Sequence, residues 1–187
     1  RRLSDGSLVI LNTESGFVVS GDEGVTWEIQ TPEWMSAMQS GYGYISDMDL
    51  APDGAAAIIY DEDSRDDAWN PLLELILPDG TQVPVEAALT GEEKYFHLVS
   101  ASEDGRFFAV TAEGSVYEIQ RNGSAEKLFT PEAEPAWMQA QNGLLFLDSG
   151  LGYGTMPVLY DPETGTYVED TVLQEFVEST YKERSYN

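Results

Sequence analysis

The densest chemistry in the chain lies in Asp61-Glu62-Asp63-Ser64-Arg65-Asp66-Asp67, where five carboxylates fall within seven positions. Several carboxylate oxygens in one loop suit a hard cation, so calcium is the metal this run would hold if it converged. The spacing departs from the helix–loop–helix calcium pattern: Asp66 stands where the turn needs glycine, and Leu72 where the last ligand would be an acid. A hydrated insertion loop accounts for the run equally well, and no residue is assigned here to a metal or cofactor. Asp148 closes the apolar run Leu145-Phe146-Leu147 and is the one acid whose flank would raise its pKa toward catalytic use. At a strand end such a residue more commonly caps a turn. His97, the single histidine, sits in Tyr95-Phe96-His97-Leu98 and reads as a hydrogen-bonded core or channel residue, with no serine or cysteine motif beside it. The glycine runs Gly41-Tyr42-Gly43-Tyr44 and Gly150-Leu151-Gly152-Tyr153-Gly154 open no helix, which argues against a phosphate cradle. Their tyrosines, with Trp34, Trp69 and Trp137, suit either a sugar- or peptide-binding surface or packing between sheets. No catalytic residue is assigned.

One segment carries a more specific signal. In Ser20-Gly21-Asp22-Glu23-Gly24-Val25-Thr26-Trp27, Asp22 can accept backbone N–H bonds inside a tight turn, and Gly24 can take the positive φ that turn demands. Thr26 and Trp27 then open a strand, with Trp27 expected to bury against a neighbouring sheet for about 2–3 kcal/mol. These eight residues match Ser-x-Asp-x-Gly-x-Thr-Trp at every fixed position and so resemble the Asp-box of sialidases and many bacterial β-propellers. In those families the box is a structural hairpin away from the ligand.

The resemblance also raises a glycosidase. Sialidases bind a carboxylate with an arginine triad and use a tyrosine nucleophile activated by a glutamate, together with an acidic acid/base catalyst. Away from its termini this chain has only Arg65, Arg106 and Arg121. Arg106 and Arg121 lie at hairpin turns, and one Asp-box is present where the family repeats it. A generic pair of carboxylates cannot be singled out among 34 acids, because chance alone supplies many.

Short apolar runs alternate with turns such as Pro52-Asp53-Gly54, Glu103-Asp104-Gly105, Asn122-Gly123 and Asn142-Gly143, which predicts an all-β fold. Before about residue 170 no segment combines a helical period with caps. The rhythm repeats. Tyr44 to Leu50, a turn, then Ala55 to Tyr60 resembles Phe96 to Ser102, a turn, then Arg106 to Thr111, with a third copy from about Trp137 through Leu144 to Asp148. Third and fourth strands follow each copy, at Leu72–Leu77 and Gln82–Val85 in the first. Four strands in a unit of roughly 35–50 residues is the period of a propeller blade.

The expectation is therefore a β-propeller, or part of one, of about four blades of four-stranded antiparallel sheets. The blades fall at approximately 3–32, 44–87, 95–130 and 136–170, with 171–187 a tail or closing strand. The first blade shows three strands, Leu8–Asn12, Gly16–Ser20 and Thr26–Gln30, with no clear innermost strand before them. In architecture the chain resembles the sialidase/BNR-repeat group and the plant and bacterial photosystem-assembly-type propellers. The ring would be completed by further blades, by another chain, or by Thr171–Val177 returning to the first blade.

Charge bounds the partners. Acids number 34 against nine Lys and Arg, a net −25, in a chain of 187 residues. That field disfavours nucleic acid and anionic membranes, both of which need basic patches, and favours cations or a basic partner. With no cysteine there are no disulfides or thiolate sites. No apolar run is long enough for a helical membrane span, and a start at Arg1 rather than Met suggests a removed leader or a fragment. The functional expectation is a non-enzymatic propeller binding a protein or carbohydrate ligand, exported or at a bacterial cell surface. The alternative is a sialidase-like glycoside hydrolase with catalytic residues partly outside this chain.

Overall fold

Apolar runs separated by Gly- and Asp-bearing turns leave the chain little choice but to fold back on itself, strand by strand. A computed structural model describes residues 1–63, 65, 71–86, 89, 95–148, 157–168 and 175. Outside the described residues lie Ser64, Asp66, Asp67, Trp69, the glycine run 150–154 and, except for Glu175, the tail from 171. The first sheet holds β1 (Leu8–Asn12), β2 (Gly16–Ser20) and β3 (Glu28–Gln30). The second holds β4 (Tyr44–Leu50), β5 (Ala56–Asp61), β6 (Leu72–Ile76) and β7 (Gln82–Pro84). The third holds β8 (Phe96–Ala101), β9 (Phe107–Thr111), β10 (Val116–Ile119) and β11 (Ala125–Phe129). The fourth holds β12 (Trp137–Gln141), β13 (Leu144–Asp148), β14 (Val158–Asp161) and β15 (Thr166–Tyr167). Within the sheets, every strand pairing among the described residues is antiparallel between sequence neighbours, so each sheet is an up-and-down meander, the form of a propeller blade.

The sheets pack face to face through three apolar cores, one at each junction. Period-2 alternation gives every central blade two buried faces, one for each neighbour. Between the second and third sheets, small side chains meet large ones: Ala51, Ala55 and Ala57 lie in the same core as Phe96, Phe107 and Tyr117. Phe96 and Tyr117 meet edge to face at 5.5 Å. Between the third and fourth, Phe129 stacks on Tyr160 at 3.8 Å between centroids.

Three details depart from the expectation. A short helix, α1 (Glu33–Met38), links β3 to β4 where none was expected. It has no side-chain cap and is too short to stand alone, so it forms because Met35 is fully buried in the first junction, with Trp34 and Met38 packed beside it. Trp27 does not bury against a neighbouring sheet and remains 43% exposed. Its indole Nε1 donates to the Gly24 carbonyl at 3.0 Å, which folds the ring back over its own turn. Finally, Arg1 and Leu3 continue the first sheet inward: Arg1 exchanges both backbone hydrogen bonds with Val9, and the Leu3 amide donates to the Ser7 carbonyl at 2.8 Å. Arg1–Leu3 thus occupy the innermost position of the first sheet, bridged to β1 at Arg2 and Leu8, where the sequence showed no clear strand.

The turn between β2 and β3 behaves as its residues require. Asp22 accepts from the Thr26 amide at 2.8 Å, the Thr26 hydroxyl at 2.6 Å and the Ser20 hydroxyl at 2.8 Å. Ser20 in turn accepts from the Gly24 amide at 2.8 Å, and Gly24 has φ +91°. Holding Thr26 in the turn keeps it out of the ladder, which is why β3 begins at Glu28 rather than at Thr26.

The donors from Thr26 and Ser20 draw the Asp22 carboxyl down to a pKa of about 2. A carboxylate depressed in the folded state stabilises it above the ordinary carboxylate range and loses that effect as pH falls toward 2. Asp22→Ala should therefore lower the thermal midpoint at pH 7, and the gap from wild type should close between pH 4 and pH 2 in melts followed by circular dichroism.

Candidate functional site: a groove along the innermost strands

The innermost strands of the sheets lie side by side, and backbone amides that point across a junction need acceptors. Side chains on the preceding strand supply them. Asp49 of β4 accepts from the Ala101 amide of β8 at 2.9 Å and from the Ser100 hydroxyl at 3.2 Å. Ser100 then accepts from the Ala140 amide of β12 at 3.0 Å. Arg1 grips Asp49 through both Nε, at 2.8 Å, and Nη2. A single polar chain therefore runs Arg1–Asp49–Ser100–Ala140 across all four sheets. Asp49 is only 8% exposed, so its charge is tolerable because the guanidinium and three further donors, the Leu50 amide included, surround it.

Two residues earlier, Asp47 accepts from the Val99 amide of β8 at 2.8 Å and from the Met48 amide at 3.0 Å. Burial dominates those bonds and lifts its pKa to about 6, with the nearby charge of Asp49 adding to the rise.

These residues form the floor of an open groove of about 640 Å³. Ile10 and Leu11 of β1 contribute on one side, Met48 and Leu98 along the middle, and Trp137, Gln139 and Gln141 of β12 on the other. Trp137 is 47% exposed and meets Phe146 edge to face at 5.5 Å. Glu103 also lines the groove and accepts from the Asn142 amide at 2.8 Å. The groove thus offers an indole, two side-chain amides, thioether and aliphatic surface, and acids already committed to backbone donors.

The residues singled out in the sequence are scattered. Arg65 lies over the Tyr42 ring and pairs with Asp63 at 2.7 Å in an exposed loop. Arg106 bridges Asp104 and Glu163, while Arg121 reaches Asp53 and the Gly105 carbonyl, so these three arginines are each occupied separately. Asp148 ends β13 opposite Trp137. His97 sits at a bulge in β8 and donates from Nε2 to the Pro135 carbonyl at 3.2 Å, while its buried Nδ1 has no hydrogen-bond partner among the described residues. In the acidic run, Asp61 accepts from the Asp63 amide at 3.0 Å. Among the described residues no three acids or histidines gather as metal ligands.

A second, smaller cavity of about 290 Å³ holds a tyrosine–glutamate pair, Tyr60 and Glu74. Burial and the negative charges of Glu74 and Glu62 push the Tyr60 hydroxyl up to about 12, the opposite of activation for attack. The sequence reading missed Asp47, Asp49 and Ser100. Their one linear signal is period-2 placement of polar side chains, Asp47 with Asp49 in β4 and Ser100 with Ser102 at the end of β8.

No protein-family model matches the chain, and no curated protein matches it. Solved structures do. A structure of YCF48 bound to D1 peptide shares 16% identity with a TM-score of 0.55, over 90% of this chain and 51% of that one. A catalytically inactive virginiamycin B lyase from Staphylococcus aureus, with quinupristin, shares 14% with a TM-score of 0.55, over 91% and 53%. A puromycin hydrolase shares 20% with a TM-score of 0.53, over 82% and 25%. The chain spans about half the length of the first two. YCF48 and the lyase are β-propellers, and likeness at such identity establishes fold alone: the chain has the fold of part of a β-propeller.

Because burial raises the Asp47 pKa, this residue favours the folded state at low pH and loses that effect as pH rises from about 4 through 6. In urea unfolding, Asp47→Asn should gain stability relative to wild type between pH 4.5 and 7.5 by about 2 kcal/mol. Equal pH slopes for the two proteins would contradict the assignment.

Proposed function

We propose that this chain is part of a non-enzymatic propeller whose axial groove binds an extended protein segment carrying basic residues. The observation that carries the reading is the exposed Trp137 beside Gln139 and Gln141, above carboxylates held by backbone amides rather than presented for chemistry. Aromatic and amide side chains hold a peptide backbone without consuming it, and a net charge of −25 draws a basic partner toward the groove. The peptide held by YCF48 is a precedent for this use of the fold. The turn Ser20–Trp27 is read as an Asp-box hairpin that staples the first blade, and placement outside a bacterial cell follows as part of the same proposal.

A carbohydrate-active enzyme is the second reading, favoured by Tyr60 beside Glu74. The raised Tyr60 pKa and the separately occupied arginines weigh against it.

Titration of the chain with a Lys/Arg-rich decapeptide, an acidic decapeptide and an oligosaccharide panel separates these readings. The basic peptide should bind with an affinity that falls as salt is added, and Trp137→Ala should weaken it about tenfold, or about 1.4 kcal/mol. Hydrolysis of a glycoside panel, or equal affinity for both peptides, would overturn the proposal.

A further inference from the structure

At the second and third junctions the polar chain follows one rule: a side chain at one position accepts the amide of the residue after the equivalent position on the next blade. At the first, Arg1 donates to Asp49 instead and the Leu50 amide turns back to Asp49. Strand pairing sets the equivalence. Leu50 pairs with Ala56, Ala101 with Phe107, Ala140 with Leu145 and Arg2 with Leu8, each just before its first hairpin turn. The residues preceding them are Asp49, Ser100, Gln139 and Arg1. Asp49 takes the Ala101 amide, and Ser100 takes the Ala140 amide.

Carried one step further at each end, the rule leaves one acceptor and one donor. Gln139 Nε2 donates to Gln141, and Gln139 Oε1 has no hydrogen-bond partner among the described residues. At the other end the Arg2 amide points away from β1, because the ladder bonds are made by Arg1, Leu3 and Val9.

The two end faces are also misplaced junction faces. By the same equivalence Ile10 stands where Ile58, Ala109 and Leu147 are buried, yet Ile10 is 55% exposed. Its cross-strand neighbours continue the row through Val18 to Ile29, which is 71% exposed. On the fourth sheet Phe146 stands where Phe108 is fully buried, and with Trp137, Leu144 and Leu159 it forms a row on the face turned away from the third core.

We propose that these two faces dock on each other between two copies of this chain, head to tail, closing one ring. The acceptor Gln139 Oε1 of one copy meets the Arg2 amide of the other, and the Ile10–Val18–Ile29 row covers the Trp137–Phe146 face. The contact continues the three junctions already seen at the same strand positions, with the bonding rule of the second and third. The chain spans about half of the propellers it resembles, so two copies supply one ring's length. Because the contact is heterologous it must be made twice, and a two-fold arrangement closes without open ends. Two copies at −25 each repel, so association strengthens with added salt. Ile10, Trp137 and Gln139 line the groove as well as these faces, so the junction and a bound peptide would compete for them, and the oligomeric state read without peptide tests the docking alone.

Sedimentation equilibrium of the chain at rising concentration and ionic strength tests it. Wild type should reach twice 20.6 kDa. Ile29→Asp and Phe146→Asp should each weaken the dimer at least about 100-fold with unchanged circular dichroism, since each buries an unpaired charge. Mixing the two variants should restore a heterodimer, because one of its two junctions is then wild type on both sides. Three results would overturn the proposal: a folded wild-type monomer under all conditions, as further blades of the same polypeptide on these faces would give; a dimer that survives both substitutions; or variants that fail to complement.

Discussion

Inner strands that lie side by side leave their outward amides facing another strand's backbone at a spacing no ladder can bridge. The fold depends on how those amides are satisfied. Asp49 and Ser100 do so by reaching from one blade to the next, and Asp47 adds a second rung at Val99. An unpaired buried amide costs about 1–3 kcal/mol, so each rung removes a penalty as well as adding a bond. The carboxylate version is stronger but leaves a charge to neutralise, and Arg1 does this from the first sheet. One carboxylate thereby ties the first three sheets together.

Packing around this axis follows from the same geometry. Blades converge toward their inner strands, and the second junction fills its space with alanines from one sheet against phenylalanines and a tyrosine from the next. Close approach also sets where glycine is required. At Gly123 the hairpin of the third sheet touches the second, with the Glu86 amide donating to the Gly123 carbonyl at 3.0 Å. A Cβ there would lie 2.3 Å from the Pro84 carbonyl oxygen, and φ is +85°. Backbone contact of this kind registers one blade's outer strand against the next, far from the groove.

Much of the strand pattern was legible. Leu8–Asn12, Gly16–Ser20 and Leu144–Asp148 stand where alternation and turn residues placed them, because strand and turn chemistry is local. What went unread was decided at a distance. Trp27 is large and apolar, which suggests burial, yet its indole proton finds the Gly24 carbonyl first. Helix α1 is too short to show a period and exists because the first junction has room for Met35. Asp47 and Asp49 looked like two more members of an acidic composition, and nothing near them in sequence names Val99 or Ala101 as their donors.

The chain's order of residues alone determined the all-β architecture, the four-unit rhythm, the self-contained turn at Ser20–Trp27 and a charge that repels polyanions. Each rests on interactions within a few residues or on simple sums. Tertiary structure decided which acids bind backbone, which arginine neutralises Asp49, where a groove opens and which faces remain apolar and exposed. Those outcomes join residues some forty to a hundred positions apart, such as Arg1 with Asp49 and Ser100. Contacts across such separations are fixed by how sheets stack, and no local pattern encodes them.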